Sequence, residues 1–526
     1  MAYDVAIVGT GPAGVSAAWP LVRSGLKVLL LDASAGELPG PPVGEYFELR
    51  RRDRNQASWL TGTDFETWLD RGASSPKLRV PTLRPVFDGF VEANRIETDN
   101  FTAVGSLAAG GLSNAWGCGV ARYDATELQT FPLSPAELDE SFASVSQRIG
   151  LSGHSNDALR DYFGVDEWTE AGPPLDDHGI HILRRYHERR TTASLKDLRL
   201  GRARLALLNS NLNGRKGCDL SGLCLWGCAR GALYTSRQEL PTLVKAGAQL
   251  RKGVVVNHLE RAEGTWRLCG SQRETGAPVQ IEAVHVVLAA GTLATTAIAW
   301  RTLKQIRKPR PLLSNPTAAF LLLFPSTLGR APVKGPAFGQ VAFVMDLPMA
   351  DAEAYGGLFS STHITASEFI RHIPMSRRVA TNVWRFLGPA TFVGNAFLPS
   401  HLNHHFAELT QAGALRIQGQ QDEALPSVVK SLARSWRAAA RSLGALIMPG
   451  SFSIGLPGSD IHYAGTLPMR SKPAHGETTP DGELMGASGI FIADAASFPA
   501  ISSKPHTLTM MALADRMAKR IVRSSS

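Results

Sequence analysis

Apolar residues along the chain form short runs separated by glycine turns, and the first two runs belong to one unit. Residues 5–8 and 28–31 are continuous apolar runs of the kind that form buried parallel strands. A cluster of glycines follows the first run, and a mostly apolar segment of helical length leads to the second. The pattern predicts a strand, a tight turn, a helix and a second strand over residues 3–32.

The glycines of this turn, Gly9, Gly11 and Gly14, occupy the three positions of the G-x-G-x-x-G motif. The first glycine allows a sharp turn, the second allows close approach of a pyrophosphate, and the third allows the helix to pack on the strand. The helix N-terminus would bind the pyrophosphate. Asp32 ends the second strand, where an acidic side chain can accept a hydrogen bond from a ribose hydroxyl. The motif predicts a dinucleotide site and does not separate NAD from FAD.

Two later stretches repeat the pattern of strand, turn and helix. Residues 281–300 read as an apolar strand, a turn at Ala290 and Gly291, and a helix, which predicts a further unit of the same sheet. Residues 489–522 read as a strand ending in Asp494 and a helix starting at about Pro505. The carboxylate of Asp494 could accept from a ribityl hydroxyl of a flavin. The positive end of the last helix would stabilise negative charge on a reduced flavin.

The middle of the chain has a different character. Residues 105–119 contain five glycines among small residues, which suits close approach to a flat ligand but equally suits a plain loop. Residues 305–460 alternate short β-rich runs with loops. Residues 425–446 predict an amphipathic helix with a basic face, which we expect to lie in solvent.

Length and charge limit the classes of protein to consider. The chain has 526 residues, 44% hydrophobic and 19% charged, which indicates a globular protein of two joined domains. Its net charge is +9 with a pI of about 9.4. A solvated surface explains the basic clusters best, with steering of an anionic substrate or contact with an anionic membrane as alternatives. Nothing resembling a nucleic-acid-binding module accompanies the charge.

Hydropathy and cysteine content predict a cytoplasmic location. No run of 18 apolar residues occurs, the first strand leaves no room for a signal peptide, and the five cysteines fit a reducing compartment. Cys218, Cys224 and Cys228 are separated by five and three residues. Packed or loop thiols explain this cluster best, and a metal site, an iron–sulfur site or a disulfide are alternatives. We predict no metal.

Two histidines near the C-terminal end are candidates for proton transfer. His462 lies in the stretch DIHYAGTLPM, and His506 lies at the start of the last predicted helix. A histidine at a helix N-terminus has a lowered pKa and can stay neutral, ready to accept a proton. A lone histidine is more often structural than catalytic, so other motifs must decide.

Five motifs together resemble the glucose–methanol–choline (GMC) oxidoreductases: GTGPAG at 9–14, GGLSNAWG at 110–117, VVLAAGTLATT at 286–296, HYAGTLPM at 462–469 and the segment 489–521. The resemblance does not extend over 151–235 or 305–455, where the substrate would be chosen. It implies FAD binding and oxidation of an alcohol carbon by hydride transfer to flavin N5. His462 matches the family histidine of H-x-x-G-T, which takes the hydroxyl proton.

The second catalytic position of this family is a histidine or an asparagine before the last helix. His506 matches the histidine, whereas Pro505 stands where other members have asparagine, which leaves the role of this position open. Some members attach FAD through a histidine near the glycine-rich loop. No histidine precedes His154 in this chain, so we expect non-covalent FAD.

The resemblance and the patterns together predict an α/β fold, with a Rossmann-like FAD-binding domain and an α+β substrate-binding cap domain. The expected FAD-binding domain comprises residues 1–50, 95–150, 235–304 and 465–526, and the cap comprises 151–234 and 305–464. The expected cofactor-binding residues are Gly9, Gly11, Pro12, Ala13, Gly14, Asp32, Gly110, Gly111, Ser113, Asn114, Val255, Ala290, Gly291, Asp494, Ala495, Thr507 and Leu508.

The predicted function is therefore FAD-dependent oxidation of a CH–OH group in a sugar or another polar alcohol, with an anionic substrate as one option. Oxygen and other electron acceptors stay open. A flavin-binding lyase or isomerase of the same fold is an alternative. An NAD(P)H-dependent flavoprotein reductase is another, although no second glycine fingerprint occurs and no cysteine precedes Cys118 to form a redox pair.

Overall fold

The first strand, Tyr3–Val8, lies inside a seven-stranded sheet in the computed structural model, which describes residues 2–68, 75–332 and 334–525. It pairs in parallel with Val28–Leu31 on one side and with Pro278–Leu288 on the other. In spatial order, the strands are Gln249–Arg251, Val28–Leu31, Tyr3–Val8, Pro278–Leu288, Trp266–Gln272 and Val254–Arg261, with Ile490–Ile492 paired to Pro278–Leu288.

The first strand is apolar throughout because both faces of this sheet are covered. Val5 and Ile7 pack in one core with residues of the helices Pro12–Arg23 and Thr507–Ser525. Ala6 and Val8 belong to a second core, which includes residues of the helix Thr292–Leu303. Burial on both faces explains why the strand shows no alternation of apolar and polar residues.

A second sheet of seven strands is antiparallel and belongs to the middle of the sequence. In spatial order, its strands are Leu446–Ile447, Thr317–Leu323, Thr391–Phe397, Ala352–Ser360, Val341–Leu347 and Leu198–Arg202, with Ser453–Ile454 paired to Thr317–Leu323. The helix Leu425–Ser442 packs on this sheet through Trp436, whose ring lies 4.9 Å from that of Phe320 and 4.8 Å from that of Phe343. The opposite face of this helix carries exposed lysine and arginine, as predicted.

Smaller elements connect the two large sheets. A four-stranded sheet has the order Arg310–Leu312, His405–Leu409, Leu415–Gln418 and Ile96–Asp99, and a two-stranded sheet joins Leu151–Gly153 to Thr169–Ala171. The remaining α-helices are Tyr46–Arg52, Gln56–Leu60, Arg84–Phe87, Phe90–Asn94, Asp139–Ile149, Arg160–Phe163, Asp177–Arg189, Leu240–Lys245, Ser367–Ile370 and Arg377–Leu387. None of the described helices combines the length and apolar character that a membrane span requires.

The predicted α/β architecture is confirmed, with a largely parallel sheet under helices and a second, antiparallel sheet. Helix boundaries differ from the prediction: the helix that starts at Leu425 ends at Ser442 rather than at residue 446, and the last helix begins at Thr507 rather than at about Pro505. The carbonyl of His506 accepts the N–H of Met510 at 2.9 Å, so His506 immediately precedes the helix and its carbonyl accepts the first helical hydrogen bond. The division into discontinuous FAD-binding and cap domains stays a prediction.

Candidate active site

A cavity of about 1080 Å³ lies between the two large sheets and contains both candidate histidines. On the side of the first sheet it is lined by the turn after Tyr3–Val8 and the turn after Pro278–Leu288. On the other side it is lined by residues of the antiparallel sheet, including Phe320, Tyr355 and Phe397. One cavity therefore joins the glycine turns to His462 and His506.

Most of the predicted cofactor residues line this cavity. They are Gly9, Gly11, Pro12, Ala13, Asp32, Gly111, Ser113, Val255, Ala290, Gly291, Asp494, Ala495 and Thr507. Gly14, Gly110, Asn114 and Leu508 lie outside the lining. Their assignment as cofactor-binding residues stays a prediction.

The three glycines of the first turn have different steric surroundings. A Cβ atom on Gly9 would lie 2.3 Å from the carbonyl oxygen of Ala289, and one on Gly14 would lie 2.0 Å from the carbonyl oxygen of Gly9. A Cβ on Gly11 would meet nothing within 4 Å, and Gly11 lines the cavity. Gly9 and Gly14 thus allow close packing of strand, turn and helix, whereas Gly11 leaves space where a pyrophosphate would approach the helix N-terminus.

A chain of hydrogen bonds through Asp32 connects the first turn to the glycine-rich loop. The carboxylate of Asp32 accepts from the hydroxyl of Thr10 and from the backbone N–H of Ser34 at 2.8 Å. Thr10 Oγ1 in turn accepts from the backbone N–H of Gly110 at 3.0 Å. Gly110 therefore positions the loop. Asn114 does the same, because its Nδ2 donates to the carbonyls of Ala109 and Gly111.

Asp494 fixes the turn at Ala290 and Gly291. Its Oδ2 accepts from the N–H of Gly291 at 2.9 Å and from Thr295 Oγ1 at 2.5 Å, and its Oδ1 accepts from the N–H of Ala496 at 3.1 Å. Burial raises the pKa of Asp494 to about 6. Three of about four acceptor sites of the carboxylate are thus used within the protein. Its acceptance of a ribityl hydroxyl stays a prediction.

The rings of His462 and His506 meet inside the cavity, with centroids 4.9 Å apart and planes at 86°. Phe397 stacks on the ring of His462, with ring centroids 4.5 Å apart and an angle of 16° between the planes. His462 Nδ1 lies 3.3 Å from Asn315 Oδ1. His506 Nδ1 is buried and has no hydrogen-bond partner among the described residues. Because both histidines line the cavity, their rings lie beside the space that a bound molecule would occupy.

Burial keeps both histidines neutral. It lowers the pKa of His506 to about 4, and burial together with His506 lowers the pKa of His462 well below its ordinary value. Asp460 accepts at Oδ2 from the backbone N–H of His462 at 3.2 Å. Burial raises the pKa of Asp460 to about 7. The hydrogen bonds that its carboxylate accepts from backbone N–H groups oppose this rise. Two neutral imidazoles side by side can accept and donate protons near neutral pH.

The segment that carries His506 is anchored by a buried ion pair. Lys504 Nζ lies 2.8 Å from a carboxylate oxygen of Glu127 and 3.1 Å from one of Asp124. The Lys504 side chain is only 2% exposed. Pro505 and His506 follow it directly, and both line the cavity. The sequence alone gave no role to Lys504.

The cysteine cluster packs against the protein core. Cys218, Cys224 and Cys228 are partly buried, contact the same apolar core as Cys118, and are free thiols. Among the described side chains, the group close enough to share one ion is a different one, namely His258, Glu260 and Cys269 on neighbouring strands. That group is partly exposed.

This chain is similar to known proteins in part of its sequence and in its fold. Residues 422–514 match the family described as GMC oxidoreductase. Pyridoxine 4-oxidase from Mesorbium loti matches by structure over 98% of this chain and 99% of its own, with 15% identity and a TM-score of 0.60. A formate oxidase of Aspergillus oryzae RIB40, solved to study the effect of a mutation on FAD modification, matches over 99% of this chain and 98% of its own, with 13% identity and a TM-score of 0.64.

The structural matches show a shared fold along the whole chain. By sequence, no curated protein matches significantly. The family match covers the segment that carries both His462 and His506. The resemblance to the GMC oxidoreductases that the sequence motifs predict is therefore confirmed, by the family match over residues 422–514.

Proposed function

We propose that this chain is an FAD-dependent oxidoreductase that oxidises a CH–OH group of a small polar alcohol, such as a sugar, to a carbonyl. The observation that carries the proposal is the pair of neutral histidines in one cavity with the glycine turns. An alcohol carbon does not release hydride easily until its hydroxyl loses a proton, and a neutral histidine within reach supplies that base. We assign this role to His462.

The surroundings of the cavity suit FAD. Gly11 leaves open space beside the start of the helix Pro12–Arg23, and Asp32 lies at the end of the neighbouring strand. FAD, when bound, supplies a hydride acceptor at flavin N5. The loop residues 105–119 contain no histidine, which supports non-covalent binding. Release of the flavin into the supernatant after acid precipitation would test this point.

His506 would bind the substrate oxygen. His506 lines the cavity, its ring lies against that of His462, and its Nδ1 has no hydrogen-bond partner among the described residues. A substrate hydroxyl held beside the two rings would be oriented for loss of its proton to His462. Lys77 and Arg371 also line the cavity, which supports an acidic group on the substrate as one option.

Anaerobic bleaching of the bound flavin tests this function. Primary alcohols, sugars, amino sugars, nucleotide sugars and sterols are offered one at a time, together with pyridoxine, formate and NADPH. We expect a polar alcohol or a sugar to bleach the flavin. Bleaching by NADPH alone would indicate a reductase, and no bleaching by any compound would contradict the proposed alcohol oxidation and favour the lyase or isomerase.

The base is tested by His462→Gln, which should slow flavin reduction by about 10²–10⁴-fold. His405 offers a matched control, because it is also buried, burial lowers its pKa to about 4, and it does not line the cavity. His405→Gln should bind FAD and reduce it at the rate of the unchanged protein. Equal rates for His462→Gln and the unchanged protein would remove His462 as the base.

A further inference from the structure

Asn315 contacts the proposed base from the side of the antiparallel sheet. It lies between the strands Arg310–Leu312 and Thr317–Leu323 and is 1% exposed. We propose that Asn315 is a positioning residue that holds His462 in the tautomer protonated at Nδ1, which leaves Nε2 bare to take the substrate proton. The assignment to Asn315 deepens the proposed function and, for the role of Nε2, rests on it.

The orientation of the Asn315 amide follows from its other contacts. Its Nδ2 donates to the carbonyl oxygen of Leu398 at 2.9 Å and to that of Ser502 at 3.1 Å. A carbonyl oxygen only accepts, so the group that faces both carbonyls must be the NH₂ group. The opposite end of the amide, which faces His462, is therefore its oxygen.

The amide oxygen decides the tautomer of the histidine. Asn315 Oδ1 lies 3.3 Å from His462 Nδ1, and because the oxygen can only accept, Nδ1 must donate. Burial keeps the imidazole neutral, and a neutral imidazole carries one ring proton. With that proton on Nδ1, the lone pair of Nε2 is free.

The positions of the two residues are tied together by Asp460. One oxygen of its carboxylate, Oδ2, accepts from the backbone N–H of Asn315 at 2.7 Å and from that of His462 at 3.2 Å. Stacking on Phe397 holds the plane of the histidine ring. A half-turn of the ring would place a carbon atom opposite Asn315 Oδ1 and lose the hydrogen bond. Backbone, ring plane and ring flip are thus all restrained.

The proposed proton transfer runs from the substrate hydroxyl to His462 and changes two bonds. The O–H bond of the substrate breaks, an Nε2–H bond forms on His462, and the electron pair of the O–H bond stays on the substrate oxygen. The imidazolium keeps its Nδ1–H bond to Asn315. Because the amide is neutral, it orients the cation without holding it as an ion pair, so the proton can leave again in the next turnover.

The tautomer is measured directly by nitrogen NMR of the histidine rings in the purified holoenzyme, labelled with ¹⁵N-histidine. Signals that disappear in His462→Gln belong to His462. In the unchanged protein we expect the pattern of a neutral ring protonated at Nδ1. Asn315→Leu should lose that pattern, and Asn315→Asp should retain it because a carboxylate also accepts from Nδ1–H.

Asn403 supplies the matched control, because its buried amide donates to Ser314 and makes no contact with His462. Asn403→Leu should leave the His462 signals unchanged. An Nε2–H pattern in the unchanged protein would overturn the proposal even if the variants fail to fold, as would an unchanged pattern in Asn315→Leu. The signals are read without substrate, so they test the tautomer independently of flavin reduction. If no compound bleaches the flavin, the proposed function fails while the NMR result on the tautomer still stands.

Discussion

The ring of His462 meets the ring of His506 edge to face, with centroids 4.9 Å apart. A positive charge on one ring would disfavour a positive charge on the other, and burial disfavours both charges. The pair is therefore neutral at neutral pH, which is the state that a proton acceptor requires. The same arrangement makes the folded chain sensitive to acid.

We predict that His506 contributes to loss of stability on acidification. Its pKa in the folded chain is about 4, against an ordinary value of 6.5, so the unfolded chain binds this proton first as the pH falls. The effect is absent above about pH 6.5 and grows between pH 6.5 and 4, up to about 3 kcal/mol. In urea unfolding at several pH values, the free energy of unfolding should fall less on acidification for His506→Asn than for the unchanged protein. If the free energy of unfolding falls equally with pH in the two proteins, this prediction is contradicted.

Gly14 and Gly11 should respond differently to the same substitution. Gly14→Ala places a Cβ 2.0 Å from a backbone oxygen, so we expect strong destabilisation and loss of FAD. Gly11→Ala meets no atom within 4 Å and has an ordinary φ of −64°. It should fold with near-normal stability but bind FAD more weakly, because the methyl group occupies the expected pyrophosphate approach. The melting temperature and the flavin content of both variants are measured. If the two variants lose stability and flavin to the same extent, the separate roles of Gly14 in packing and Gly11 in cofactor approach are contradicted.

Removal of the Lys504 ammonium should destabilise the protein. Lys504→Met leaves the carboxylate of Glu127, whose side chain is 13% exposed, without its cation, at a cost of about 3 kcal/mol. Adding Glu127→Gln should recover much of that loss. Asp124→Asn should cost less than about 1 kcal/mol, because Asp124 is half exposed. Urea unfolding distinguishes the three variants, and similar losses for Lys504→Met and Asp124→Asn would argue against a buried anchor.

The stack of Phe397 on His462 should affect catalysis more than stability. Phe397→Leu removes the aromatic face 4.5 Å from the histidine ring, and aromatic contacts contribute about 0.5–1.5 kcal/mol. We expect flavin reduction to slow by up to about tenfold with FAD retained. Phe392→Leu on the same strand is the control, since Phe392 is fully buried and does not line the cavity. Phe392→Leu should lower the melting temperature without changing the rate of flavin reduction. If Phe392→Leu slows flavin reduction and Phe397→Leu does not, the prediction is contradicted.

Local patterns were enough to predict the main elements. The turn at Gly9–Gly14, the strands beside it and the helix predicted over residues 425–446, which ends at Ser442, depend on glycine placement and on hydrophobic periodicity. Both are properties of neighbouring residues. The start of the last helix was misplaced by two residues, because Pro505 is compatible with a first helical turn but precedes the actual start at Thr507.

Contacts between distant segments could not be predicted from the sequence. Asn315 lies 147 positions from His462, and no local signal connects the two. The pairing of Lys504 with Glu127 spans 377 positions. The hydrogen bonds of Asp494 to Gly291 and of Gly110 to Thr10 also join distant segments, and the cofactor-binding role of both residues stays a prediction. Such roles depend on which segments the fold brings together.

The strand Pro278–Leu288 pairs in parallel with both Tyr3–Val8 and Ile490–Ile492. During translation, the sheet around the first strand therefore cannot be completed until most of the chain has been made. At about 5–20 residues per second, this delay is roughly half a minute or longer. The turn after Tyr3–Val8 is synthesised early, but the histidine pair can assemble only after residues 462–506 have been made. Until Pro278–Leu288 has been made, the edge of Tyr3–Val8 that pairs with it has no partner strand, and unpaired apolar strand edges favour aggregation.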